Sequence, residues 1–127
     1  MNPLKATMMQ AVQGMELQSK RMGISSENIS NADTPGYQRK LLIVSAQPSS
    51  ADQFMQTRVQ LDQTEGLRNF DPEHPMADAD GYVTLSNVSL VTELADMREA
   101  NRSYEANLNS FQQARSMYRS LLDVLRR

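Results

Sequence analysis

The chain has 127 residues, the length of one small domain, with 39% hydrophobic residues and only 6% aromatic, and it has no Trp. Its 13 basic residues against 15 acidic give a net charge of −2, which excludes a basic nucleic-acid footprint. The absence of Cys excludes a disulfide framework, thiolate zinc ligation and a thiol nucleophile.

The first element is a helix with an apolar seam. Steps of four and three from Leu4 reach Met8, Ala11, Met15, Gln18, Met22, Ser25, Ile29 and Ala32, mostly apolar and spaced for a coiled coil. Pro3 suits the first helical position, and Gly14 and Gly23 weaken the helix by about 1 kcal/mol each. The run Asn31-Ala32-Asp33-Thr34-Pro35-Gly36 stops it, because Pro35 cannot continue a helix and biases Thr34 toward extended backbone. The first fifteen residues hold one Lys and no apolar core of a signal peptide, so no conventional cleaved secretory signal is expected.

The middle of the chain reads as loops with two to four short strands. Residues 37–46 turn from basic to aliphatic and suit an extended segment; 47–56 are polar with Ser and Pro and read as a flexible loop. Arg58 to Asp62 alternates as a strand does. Asp71-Pro72 and His74-Pro75 mark irregular chain, and Asp80-Gly81 reads as a turn before the strand-like Tyr82 to Leu85. The longest uninterrupted aliphatic run is Leu41 to Val44, far short of the ~20 residues a membrane-spanning helix needs.

The last element is a second, longer helix, with Asn87 as a candidate N-cap and no Gly or Pro from Ser86 onward. Its seam is Leu90, Leu94, Met97, Asn101, Tyr104, Leu108, Phe111, Arg115, Tyr118, Leu122 and Leu125, while Glu93, Asp96, Arg98, Glu99, Arg102 and Glu105 form a solvated stripe. The expected fold is therefore mainly α. An N-terminal coiled-coil helix (1–34) and a C-terminal one (87–127) pair antiparallel, around a central extended/β region (35–86). Opposing Ala32 to Asn87 brings the polar seam residues Gln18 and Asn101 together. The same register leaves Tyr118, Leu122 and Leu125 overhanging, so other subunits are expected to cover them. The nine Met suit such surfaces, because Met repacks readily against varied neighbours. Subunit packing is expected from Leu4, Met8, Met15, Met22 and Ile29 on the first helix and from Leu90, Leu94, Met97, Tyr104, Leu108, Phe111, Tyr118, Leu122 and Leu125 on the second.

Chemistry is sparse. His74, the single histidine, lies in turn-rich chain and reads as a surface residue rather than a base or ligand. Asp71, Glu73, Asp78 and Asp80 cluster, but Asp78-Ala79-Asp80-Gly81 matches only part of a calcium loop, and turn formation accounts for it better. No catalytic, cofactor-binding or metal-ligating residue is expected, so the chain is not read as an enzyme.

Two stretches carry a resemblance. Ser25 to Lys40 resembles the motif that closes the first helix in the flagellar basal-body rod protein family, with Asn28, Asn31, Thr34, Pro35, Gly36 and Tyr37 in the matching places. His74 to Phe111 is similar to the hallmark of that family's C-type proximal-rod branch, through Asp78, Gly81, Tyr82, Asn87, Arg102 and Asn107. His74 and Ser86 stand where the family has Asn and Pro. The resemblance implies a structural subunit without cofactor, exported by the flagellar type III apparatus without a cleaved signal. It implies assembly in the periplasm, with copies of itself and other rod proteins, into a tubular drive shaft, from terminal helices that are disordered beforehand. The rival reading is a cytosolic helical-hairpin adaptor or export chaperone, which would be strongly helical as a monomer.

Overall fold

The structure is a computed structural model and describes residues 2–45 and 55–126. In chain order its elements are helix α1 (Pro3–Ser30), strands β1 (Lys40–Ser45), β2 (Gln56–Leu61), β3 (Arg68–Phe70) and β4 (Tyr82–Thr84), and helix α2 (Leu90–Leu125). Both helices stand where the seven-residue periodicity places them. The loop expected over 47–56 lies, apart from Met55 and Gln56, outside the described residues. Among those residues no helix is long and apolar enough to cross a membrane.

Each helix starts on a side-chain cap. Asn2 Oδ1 accepts the Leu4 N–H at 2.9 Å, which leaves Pro3 at the position where a missing N–H costs nothing. At α2 the cap is Ser89 and not Asn87: the Ser89 carbonyl accepts the Glu93 N–H and its Oγ the Thr92 N–H. Asn87 is drawn off to other partners, described below.

The chain forms two compact units, 1–22 with 96–127, and 23–95. In the first, three contacts run in opposite directions along the two helical segments: Lys5 Nζ sits 5.6 Å from the Tyr118 ring centroid, Gly14 lies against Asn107, and Arg21 pairs with Glu99 at 3.7 Å. The segments are thus antiparallel neighbours. Their buried centre is made of small residues, Ala11, Ala100 and Ala114. A Cβ on Gly14 would fall 2.6 Å from Asn107 Nδ2, so the glycine makes room for the Asn107 side chain there.

This contact corrects the expected seam of α2. Met97, Tyr104, Leu108, Phe111 and Tyr118 are half-buried as anticipated, but at two of the alternate positions burial falls one residue earlier, at Ala100 and Ala114. Leu90, Leu94, Asn101 and Arg115 are exposed. The pairing is also shifted: the expected register opposes Gly14 to Glu105, and the structure sets Asn107 there. Gln18 Oε1 accepts a hydrogen bond from Arg21.

In the second unit, β1 and β2 form an antiparallel ribbon with Lys40 opposite Leu61 and Ser45 opposite Gln56. β3 and β4 form a second ribbon with Arg68 opposite Thr84. β3 has no counterpart in the sequence reading: Arg68-Asn69-Phe70 is too short to show alternation and exists by pairing with β4. Gly66 is required at the approach to β3, since a Cβ there would collide with the Leu85 carbonyl oxygen.

Candidate functional site: a buried polar joint and an apolar helix end

Asn28, on the last turn of α1, is 1% exposed. Its Nδ2 donates to the Lys40 carbonyl at 3.0 Å, while its Oδ1 accepts from the Lys40 N–H and the Tyr37 hydroxyl, both at 2.9 Å. One side-chain amide therefore occupies both backbone groups of the first residue of β1, as a neighbouring strand would. The chain returns to meet it because Asn31 to Tyr37 make consecutive tight turns, with Gly36 at φ +75°. Asn31 Nδ2 donates to the Glu27 carbonyl, and its Oδ1 accepts from Thr34 Oγ1 at 3.2 Å. The Gly36 N–H then donates to the Thr84 carbonyl at 2.9 Å.

Asn87 is the second node. Its Oδ1 accepts the Arg39 N–H at 2.6 Å, and its Nδ2 donates to the Asp62 and Thr64 carbonyls at 3.0 and 2.8 Å. Beside it, the Arg39 guanidinium pairs with Glu93, which is 1% exposed. The sequence places Glu93 on a solvated stripe; its partner lies 54 residues away along the chain, which no local pattern signals. Ser86 Oγ donates to the Ala32 carbonyl. Among the described residues, no buried side-chain nitrogen or oxygen lacks a partner. A charged and amide-rich cluster of this kind is stable only when fully satisfied, and this one is.

Electrostatics follow from these contacts. Burial, reinforced by the Glu27 carboxylate, raises the Tyr37 hydroxyl above its usual 10.0. The hydrogen bond to Glu27 raises Lys40. The Thr64 N–H, donating to Asp62 Oδ1 at 2.9 Å, lowers Asp62.

The family-motif residues nearer the middle act locally. Asp78 Oδ1 accepts the Tyr82 and Asp80 N–H groups at 2.9 and 3.0 Å, and its other oxygen pairs with Arg68. The Tyr82 N–H is the main cause of a lowered Asp78 pKa. Gly81, at φ +84°, lets the turn pass under Phe70, whose ring meets Tyr82 edge-on at 5.3 Å. His74 Nδ1 accepts the Met76 N–H at 3.0 Å, a turn contact. Arg102 is exposed and Asn107 half-buried against Gly14.

Of the expected packing residues, Leu4, Met8, Met15, Met22, Ile29, Met97, Tyr104, Leu108, Phe111 and Tyr118 are half-buried, and Leu90, Leu94, Leu122 and Leu125 are exposed. Tyr118 does not overhang: it carries Lys5 over its ring. Leu4 reaches as far as Leu121 and Val124, lining with them and Met117 a shallow groove of about 570 Å³. The helix end stays bare, with Val124 66% and Leu125 78% exposed. The arrangement provides a fixed joint in one unit and a sticky end in the other.

Comparison with known proteins agrees with the geometry. A family model described as "Flagella basal body rod protein" matches residues 8–38, and one described as "Flagellar basal body rod FlgEFG protein C-terminal" matches residues 79–124. The first span contains Asn28 and Tyr37, the second Asn87 and Glu93, so both matched spans supply the joint. The flagellar basal-body rod protein FlgC of Agrobacterium fabrum is 40% identical over 99% of this chain and 98% of its own length. That of Salmonella typhimurium is 32% identical over 79% of this chain and 81% of its own. That of Borreliella burgdorferi is 47% identical over 44% of this chain and 40% of its own.

Proposed function

The chain belongs to the flagellar basal-body rod protein FlgC family, a family of structural rod proteins and not of enzymes, and from that premise we propose how it builds a rod. The terminal helices of each subunit form an antiparallel coiled coil and complete their burial on other copies and on other rod proteins. The product is a tubular drive shaft in the periplasm that transmits torque. The subunit arrives through the flagellar type III export apparatus without a cleaved signal, and its helices order on docking, when neighbours supply the burial that offsets the entropy cost.

The observation that carries this reading is the C-terminal end of α2, where Met117, Leu121, Val124 and Leu125 are each at least half exposed. An apolar helix end of that kind marks a contact surface. Leu90 and Leu94, exposed on the first turns of the same helix, are assigned to neighbours as well. The polar joint serves the same end mechanically: Asn28 and Asn87 fix the chain on leaving α1 and on entering α2, so strain has no slack loop to dissipate into.

Leu122→Asp tests the proposal. The substitution leaves the Leu122 carbonyl, which accepts the Arg126 N–H, in place and removes apolar surface only from the helix end. The isolated chain is expected to keep its circular dichroism spectrum while incorporation into basal bodies and swimming are lost. Normal incorporation and swimming would overturn the proposal.

A further inference from the structure

We infer that Gly23 is a built-in weak link in α1, which lets the helix melt and re-form over residues 3–22 while residues 24–30 stay folded on the joint. The inference rests on the reading that the helices order on docking, and it fixes where in α1 that ordering begins.

Each of the other glycines has a local reason. Gly36 and Gly81 hold positive φ, and a Cβ on Gly14 or Gly66 would strike a neighbour. Gly23 has neither reason. It lies exposed in the interior of α1 with ordinary right-handed helical backbone. Among the described residues, a Cβ there would meet nothing within 4 Å beyond its own helix. Alanine would therefore fit, and Gly in its place weakens the helix by about 1 kcal/mol. Neither packing nor chain geometry calls for that loss.

Its position supplies the reason. The two sides of Gly23 are held by different parts of the chain, since residues 1–22 belong to the helical unit and residues 23–95 to the other. On the C-terminal side Ser25 and Asn28 are 6% and 1% exposed, Asn28 is hydrogen-bonded to Tyr37 and to both backbone groups of Lys40, and Glu27 pairs with Lys40. On the N-terminal side the contacts run to α2, from Arg21 to Glu99 and from Lys5 to Tyr118. The joint thus holds the last turns of α1 helical and spares the rest of the helix the unfavourable step of nucleation. Growth from that template must pass residue 23, where Gly lowers the propagation step about fivefold relative to Ala. α2 has no such step, because no Gly or Pro follows Ser86. Melting over residues 3–22 is thereby separated from melting of the joint.

Gly23→Ala in the full-length chain, compared with the native chain in dilute solution, tests this. The ratio of helical to melted chain at residues 7–22 is read from Cα carbon chemical shifts, and from amide exchange where the helix is nearly complete. Exchange at the amides of residues 28–31, which end on the Asn31 N–H donated to the Glu27 carbonyl, reports the joint. The ratio at residues 7–22 is expected to rise about fivefold, while exchange at 28–31 changes by less than about twofold. An equal gain on both sides of residue 23 would make α1 one cooperative unit, and no gain on either side would make the glycine inert. Either result overturns the inference. Native residues 7–22 that are already helical and strongly protected in the free chain would instead overturn the docking reading, because the one-sided response to Gly23→Ala is judged separately.

Discussion

Replacing Asn28 by Ala should loosen the whole joint, and the expected size follows from its contacts. The side chain makes three hydrogen bonds of 2.9–3.0 Å from a site that is 1% exposed. Each is worth about 1 kcal/mol net, and since Lys40 is only half-buried water can reach its freed groups, so the total is about 3 kcal/mol without a large added desolvation penalty. That corresponds to roughly a 100-fold rise in the opening constant. The readout is hydrogen exchange at the Asp62 amide, which donates to the Arg39 carbonyl one rung away and does not touch the substituted side chain. Tyr37→Phe, which removes one of the three bonds, should accelerate the same amide only about fivefold. If Asn28→Ala changed Asp62 exchange by less than about threefold, the joint would not be held by this amide.

Two pH effects follow from the perturbed groups. Tyr37 keeps its proton longer in the folded chain than in the unfolded one, so its contribution is present below pH 10.0 and is lost as pH rises through the raised folded value; urea titrations of the native chain should weaken above pH 10.0, and those of Tyr37→Phe should lack that part of the decline. Asp78 has the opposite sign: its lowered pKa stabilises the β3–β4 ribbon above the ordinary carboxylate value of 3.8 and is lost as pH falls through the lower folded value. Protection of the Tyr82 amide, which donates to Asp78, taken against the intrinsic exchange rate at the same pH, should therefore fall on acidification, and Asp78→Asn should flatten that dependence.

The two helices are legible in the sequence because their periodicity is sustained over many turns and because Pro35 and Gly36 punctuate the first so plainly. The face that α2 turns inward differs from the apolar pattern by one residue at two of the alternate positions. A seam chosen by hydrophobicity prefers Leu94, whereas the most buried residues of α2 in the helical unit are Ala100 and Ala114, whose value lies in their small volume. Glu93 illustrates a different blindness. A carboxylate on a helix reads as solvated until its partner is known, and Arg39 is brought to it only by the turns after α1 and by the Asn87 bridge. Asn87 stands out in the sequence for a role that it does not fill. An Asn just before a helix suits a cap, but Ser89 stands nearer the first turn and leaves the amide free for Arg39, Asp62 and Thr64. Asn28 and Tyr37 are marked by family resemblance alone, since nothing in the spacing shows that an amide on α1 will serve as a strand's neighbour.

The claim on which the account turns is that the helical unit is completed by neighbours. Hydrogen exchange of the full-length chain, measured once in dilute solution and once in purified basal bodies, tests it most directly. The account predicts that amides of residues 96–125 exchange rapidly in the free chain and are strongly protected in the basal body. Equal and strong protection of those amides in the free chain would contradict it.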